Sequence, residues 1–583
     1  MLLTKKGIAL LVVLIGVVVL PVRGQTSAVD SLLEKHWEWT LQQSPVFAGE
    51  LGDRSGDGRL PDASLAAQTQ TGEFLKEILR EVKLLEGRDL NDTDRLNLTI
   101  FKRFLEDELS ELNLNSHLIP ITNRWGFHIY FAELYKTLPF NNEVDYDSYL
   151  GRLKAYSKYT DDHIEVMREG IRRGYVLPAI VLEGYEDTIS SHIYDEPTKS
   201  PLYTPFTKLP DQIAESSRIR ITKEGAELIE SHVIPSYARF LKFINEEYLP
   251  ASRNSIGASA LPNGREFYRH RVRKYTTLDV SPEEVHEIGI SEVRRIRNEM
   301  EAIPEQLEFE GSFAEFLTHL RTDPKFYPKD VESYKKEVAY ILKKMDGQLP
   351  QLFGKLPRTP YGIKEIPAYI APKTTAAYYQ PPSGDGRIAG FYFINTYNLK
   401  SRPLYQLEAL SLHEAVPGHH LQLALQQELE NMPAFRKYNG FTAFIEGWAL
   451  YSERLGLETG FYQDPYSDFG RLSYEMWRAC RLVVDTGIHY LGWTREQAIE
   501  FMSENTALSR HNIVAEVDRY ISWPGQALAY KMGELKIREL RTLAEKELGS
   551  EFDIRDFHDV VLGSGAVPLT VLEDNILRYL GHR

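Results

Sequence analysis

Three imidazoles and a carboxylate fall within eight residues of this chain: His413, Glu414, His419 and His420, in the run Leu412-His-Glu-Ala-Val-Pro-Gly-His-His420. Imidazole nitrogen and carboxylate oxygen are ordinary ligands of Zn2+, and a catalytic zinc takes three of them and keeps one position open. In the pattern His-Glu-x-x-His both imidazoles stand on one helical face, one turn apart, and the Glu acts as general base. Here Pro417 stands where that pattern has its second His. On an unbroken helix His413 and His419 point in different directions. His413 and His420 would share a face but lie about 10.5 Å apart along the axis, too far to share one ion. Pro417 lacks the amide donor that would bond the His413 carbonyl, and its ring crowds that carbonyl. Gly418 can adopt conformations closed to other residues. The helix is therefore expected to bulge or break between 414 and 418, returning His419 or His420 to the side of His413.

A third ligand is available in Glu446, twenty-seven residues after His419, within Phe444-Ile-Glu-Gly-Trp-Ala-Leu-Tyr-Ser-Glu453. Glu446 and Glu453 are seven apart and share a helical face. One can bind a metal while the other orients a ligating His. A hydrogen-bonded cluster without metal is the competing reading of the same residues, and both stay open at this level.

Metal-assisted acyl chemistry needs a further donor for the developing oxyanion. Tyr520 is the first candidate and Tyr530 the second, with His511 and His489 behind them; each has a core aromatic or satisfied buried His as its alternative. Arg481, Asp485 and His489 recur every four residues, as a network behind the site, a carboxylate-binding wall or a plain charge ladder. Arg519 or Lys531 could hold a substrate carboxylate. Gly390–Asn395 could be an edge strand that pairs with an extended peptide, or an ordinary strand.

The elements that must position these residues are mostly helices. Apolar spacings of three and four predict helices over Tyr149–Gly174 and Thr222–Leu249. Ser281-Pro282-Glu283-Glu284 is a strong helix start, opening a helix to about Ala302. Phe313–Leu320 and Val331–Met345 are shorter helices. From about 355 the prolines at 357, 360, 367, 372, 381 and 382 exclude long helices. Strands are predicted at Ala368-Tyr-Ile370 and at Gly390–Asn395, with a turn at Gly384-Asp-Gly386 between them. Helix resumes near 404 and continues to the end: Pro403–Ala415, Gly418–Glu430, Ala443–Leu457, Asp468–Leu491, Thr494–Asn505, Ile513–Tyr520 and Gly525–Leu548. The expected fold is mainly α, with one small β-sheet directly before the helix of the candidate metal site.

At 583 residues, 43% hydrophobic and 26% charged, the chain can bury a large core. A net charge of −15 offers no basic excess for phosphate, which argues against a nucleic-acid partner. Lys5 and Lys6 precede an apolar run from Gly7 to Val22, followed by Arg23-Gly24-Gln25, the pattern of a secretory signal over residues 1–24. An exported protein is expected, periplasmic or extracellular. It is free of stable membrane insertion if the signal is cleaved and anchored if it is not. No Cys follows the apolar run, so a lipoprotein-type anchor is not expected there. Cys480 is the only cysteine, so no intrachain disulfide can form.

The run His413-Glu-Ala-Val-Pro-Gly-His-His-Leu-Gln422 resembles the DUF885 family of bacterial proteins, a group regarded as candidate zinc metallopeptidases. Glu446-Gly-Trp-Ala-Leu-Tyr-Ser-Glu453, Arg481-Leu-Val-Val-Asp-Thr-Gly-Ile-His489, Glu516–Lys531 and Gly257–Gly264 with Phe267-Tyr268 add to the resemblance, which covers most of the chain after the leader. The family is distantly similar to helical gluzincins such as angiotensin-converting enzyme, thimet oligopeptidase and Taq-type carboxypeptidase. The resemblance implies a single helical domain over 25–583, with a helical lobe at about 25–350, a sheet and metal-site lobe at about 355–583, and a deep cleft in the helical shell. It implies one Zn2+ on His413, His419 (or His420) and Glu446, with Glu414 as base and short peptides as substrates. This sequence has two more residues before the second His than those relatives carry. A catalytically silent peptide-binding or envelope protein, or a zinc hydrolase of non-peptide amides or esters, are the alternative functions.

Overall fold

The computed structural model describes residues 27–368, 371, 374–383 and 388–581. The leader, the Gly384–Gly386 turn and the Tyr369-Ile370 part of the strand expected from Ala368 lie outside the described residues.

Nine helices matter for the site. They are α1 (Glu143–Arg173), α2 (Gly264–Thr276), α3 (Pro282–Gln306), α4 (Leu407–Glu414), α5 (His419–Glu428), α6 (Thr442–Leu455), α7 (Pro465–Thr486), α8 (Arg510–Ser522) and α9 (Ala529–Leu548). Local chemistry explains their ends. Ser281 caps α3 in a capping box with Glu284, and the helix runs through Pro304, past its expected end. Gly174 stops α1 with φ 77°, a conformation cheap only for glycine. α7 continues as one wider turn, Gly487–Leu491, so the predicted single helix to Leu491 is continuous but changes its winding.

The fold is mainly α with one small sheet, as expected. The sheet has order β1-β3-β2, with β1 (Tyr361–Glu365) parallel and β2 (Ala377–Gln380) antiparallel to β3 (Gly390–Ile394). Gly390–Ile394 is thus the central strand, flanked on both sides, and the edge-strand role considered for it fails. Gly390, Tyr392 and Ile394 are buried while Phe391 and Phe393 are half-buried, the alternation of a strand with one face on a core.

Among the described residues the apolar side chains form two large clusters and one small one. The first joins α1 and neighbouring helices up to Phe326 with α3, α7 and α8. The second joins the first helices of the chain, from Val29 to Leu105, with the sheet, α4, α6, α9 and the C-terminal helices. The cores therefore cut across the lobes expected at 25–350 and 355–583. The N-terminal helices pack on the sheet and site side. Half-buried Trp477 on α7 packs against both large clusters.

Candidate metal centre

The helix does break where Pro417 and Gly418 interrupt it. α4 ends at Glu414 and α5 starts at His419. The Val416–Pro417 peptide is cis. The Gly418 amide donates to the Leu412 carbonyl at 2.9 Å, and the His420 amide to Ala415 at 2.9 Å. A Cβ on Gly418 would lie 1.9 Å from the His413 carbonyl oxygen, so only glycine fits this fold-back. Trp448 on α6 donates its indole N–H to the Pro417 carbonyl at 2.9 Å and ties the loop to the helix that carries Glu446.

The break brings His413, His419 and Glu446 together, with one ligand atom of each within 4.8 Å of the others. Glu446 Oε2 lies 3.6 Å from His413 Nε2 and 3.5 Å from His419 Nε2. These separations are beyond ordinary hydrogen-bond length. They match the edge of about 3.4 Å that three ligands at about 2.1 Å from a tetrahedral zinc would span. Glu446 Oε2 is buried and has no hydrogen-bond partner, and His419 Nδ1 is likewise unpartnered. The residues fit a metal. The Glu446 side chain keeps 19% of its surface exposed and His419 keeps 12%, so the cluster is deep yet reached by solvent.

His420 turns the other way. Its Nδ1 bonds the Tyr379 hydroxyl of β2 at 2.8 Å, and its ring packs on Tyr361 of β1 at 4.8 Å. Burial lowers its pKa to about 4 and keeps it neutral. Behind the cluster, His413 Nδ1 meets Glu453 at 2.8 Å and Arg478 meets the same Glu453 oxygen at 3.1 Å. Burial opposes a charge on His413, but the neighbouring carboxylates, Glu446 at 3.6 Å and the hydrogen-bonded Glu453, outweigh it and raise its pKa to about 9. Glu446 is held well below the usual carboxylate range by the two imidazoles, against the effect of burial. Glu414 is also buried, and burial raises its pKa while His413 and His419 pull it down.

The remaining candidates sort by their partners. The Tyr520 hydroxyl is engaged three times: it accepts from Trp477 at 3.1 Å and Arg481 at 3.0 Å, and donates to Glu516 at 3.0 Å. Tyr530 is half-buried and close enough to Glu446 for that carboxylate, after burial, to raise its pKa. His511 is exposed at the start of α8. His489 is fully buried: it accepts from the Ala258 amide and bonds the Tyr520 carbonyl, both at 2.9 Å. Burial holds its pKa near 3. Asp485 accepts from Tyr268 at 2.6 Å and from the Gly525 amide at 3.0 Å, and burial lifts its pKa to about 7. His489 and Asp485 therefore brace the loops at 257–258 and 525. Lys531 is enclosed by Glu475, Glu534 and Glu292 at 2.8, 2.8 and 3.0 Å, so its ammonium is spent inside the core. Arg519 is tied to Glu516 and Gln526.

Sequence reasoning missed Arg478, Trp448 and Tyr379. Arg478 stands one turn before Arg481 on α7, and Trp448 lies inside the Glu446–Glu453 motif, so both carried a signal. Tyr379 sits on a four-residue strand directly before Pro381, with too little pattern to be seen. A recess of about 780 Å³ opens on the outer side of α2, lined by Asn113, Arg269, His270 and Glu284 among others, and contains none of the predicted site residues.

Among solved structures, a protein described as "the putative lipoprotein from Colwellia psychrerythraea" is similar over 95% of this chain and 99% of its own, with 28% identity and a TM-score of 0.87. A "putative lipoprotein of unknown function from Shewanella oneidensis" covers 94% and 100%, with 18% identity and a TM-score of 0.72, a likeness of fold. No curated protein matches the chain. The family described as "Bacterial protein of unknown function (DUF885)" matches residues 45–576, including the broken His helix and the Glu446 helix. The chain belongs to the DUF885 family.

Proposed function

We propose that this protein is an exported, zinc-dependent hydrolase of short peptides. The observation that carries the reading is the convergence of His413, His419 and Glu446 on one point, where Glu446 Oε2 is buried without a donor. Zinc, when bound there, would lower the pKa of water and polarise a substrate carbonyl. Glu414 follows His413 directly and takes the proton of the attacking water, then gives it to the leaving amine. Its raised pKa suits both halves of that transfer. Glu453, held by Arg478, fixes the His413 ring through Nδ1, leaving Nε2 free to ligate. Tyr530 is better placed than Tyr520 to donate to the oxyanion, because the Tyr520 hydroxyl is already committed. The apolar leader pattern and the description of the similar proteins as lipoproteins support an envelope location. Among the described residues no helix is long and apolar enough to cross a membrane.

The test is metal content and peptide cleavage by the purified protein. One zinc per chain is expected. Glu414→Gln should keep that zinc and lose about 10²–10⁴-fold in kcat. Cleavage at the wild-type rate by this variant would refute the role of Glu414, and a protein that binds no stoichiometric metal would refute the whole reading.

A further inference from the structure

Beside the metal cluster lies a group of charges that the hydrolytic step does not use. Arg124, Arg481 and Arg519 surround a single carboxylate, Glu516 on α8, at 3.6, 3.3 and 3.0 Å. The next acid on that helix, Asp518, is occupied by Arg495 in two bonds of 2.7 and 2.9 Å. Three guanidiniums thus meet one acid. A buried cation is costly unless an anion or good acceptors compensate it, and here the protein supplies one carboxylate, Gln526, the Tyr520 hydroxyl and the Ala515 carbonyl.

Arg481 is the least satisfied of the three. Its Nε donates to Tyr520 and its Nη2 faces Glu516, but Nη1 is buried with no partner, and the side chain is only 5% exposed. Its guanidinium packs on Trp477 and Tyr530, whose ring centroids lie 4.4 and 4.3 Å from Cζ. Aromatic contacts of this kind stabilise a guanidinium in place and leave its N–H groups for an acceptor. Trp477 links this group to the metal cluster: its ring lies also 5.1 Å from Cζ of Arg478, which meets Glu453 at 3.1 Å behind His413. Arg124, 30% exposed, forms the solvent side.

We infer that Arg481, flanked by Arg519 and Arg124, receives a carboxylate of the substrate. This rests on the hydrolytic reading above and gives that site a substrate class: peptides with an anionic group close to the scissile bond. The anion is either the C-terminal carboxylate or an acidic side chain.

The experiment uses the zinc-loaded Glu414→Gln protein, which holds substrate without turning it over, and calorimetric binding of three probes. They are N-acetyl-trialanine, its C-terminal amide, and the amide of N-acetyl-Ala-Ala-Glu. The free acid should bind about tenfold or more tighter than the trialanine amide, as a desolvated charge pair would give. Arg481→Met should abolish that preference, and Arg481→Lys should restore only part of it. If the Glu-bearing amide binds as tightly as the free acid, the site takes a side-chain carboxylate as well as the C-terminal one. If it binds like the trialanine amide, the anion is the C-terminus. Equal binding of acid and amide, binding of no probe, or an Arg481→Met protein that keeps the preference would overturn the inference. Should Arg481→Met fail to fold, Arg124→Gln at the exposed side must lower the acid-to-amide ratio by about threefold or more, and an unchanged ratio overturns the inference. The two readings fail separately. A wild-type protein that prefers the acid but cleaves nothing sinks the hydrolase alone. Cleavage of acid and amide with equal kcat/KM sinks the carboxylate site alone.

Discussion

Glu446 Oε2 faces two imidazole nitrogens and no hydrogen-bond donor at bonding distance, whereas His420, next in the chain to one of those imidazoles, is bonded to the Tyr379 hydroxyl and packed on Tyr361. That contrast predicts opposite outcomes for adjacent substitutions. His419→Ala should leave the purified protein without stoichiometric zinc, while His420→Phe should keep it; metal analysis of both variants decides. Glu453 acts one step back, since it holds the Nδ1 side of His413. Glu453→Gln should weaken zinc about 10–100-fold in a chelator competition, a loss typical of partners that orient a metal ligand. The residue types and the spacing of Glu446 were legible in the sequence. The choice between His419 and His420 was not, because Tyr379 and Tyr361 settle it, and they stand about forty and sixty residues earlier on strands of four and five residues.

At the scale of elements, the segment 415–418 does the work that a helical turn does in His-Glu-x-x-His. Its break was legible, since a proline four residues after His413 denies that carbonyl its donor. Its return path was not, since it depends on the Leu412 and Ala415 carbonyls and on Trp448. Gly418→Ala places a methyl 1.9 Å from the His413 oxygen and should cost about 3 kcal/mol or more. Urea unfolding measures that loss, and zinc content should fall with it. The capping box at Ser281 was equally plain, because a cap needs only residues three apart. The sheet was seen only in its central strand, as neighbouring prolines obscured β1 and β2.

The whole molecule carries a pH dependence that belongs to its core. His128 and His163 pack on Phe127 of the first cluster, and burial lowers each to about 3. His163 stacks on Phe127 at 4.1 Å and has no partner for either ring nitrogen. In the unfolded chain such groups take up a proton near pH 6.5. Between about 6.5 and 3 the unfolded state therefore binds the extra protons, and stability present above 6.5 is lost as pH falls, at about 1.4 kcal/mol per pH unit and site. Thermal unfolding should show this decline. His163→Phe should cost less than about 1.5 kcal/mol at pH 7.5 and should shrink the loss between pH 6.5 and 4.5 by about 2 kcal/mol. An unchanged pH profile would count against the buried neutral His163. The mainly helical class was legible from periodicity. The partition into cores was not, because pairing the first hundred residues with the last two hundred is a long-range choice that no local pattern records.

Splitting the two imidazoles between α4 and α5 has a kinetic consequence. Ligands on one helix part only when that helix unwinds. Here a short hinge can open while both helices persist, so the cluster can lose one corner in a sub-global fluctuation. The off-rate of zinc should then track the exchange of the Gly418 and His420 amides with deuterium, and stay independent of the far slower exchange deep in α6 and α7.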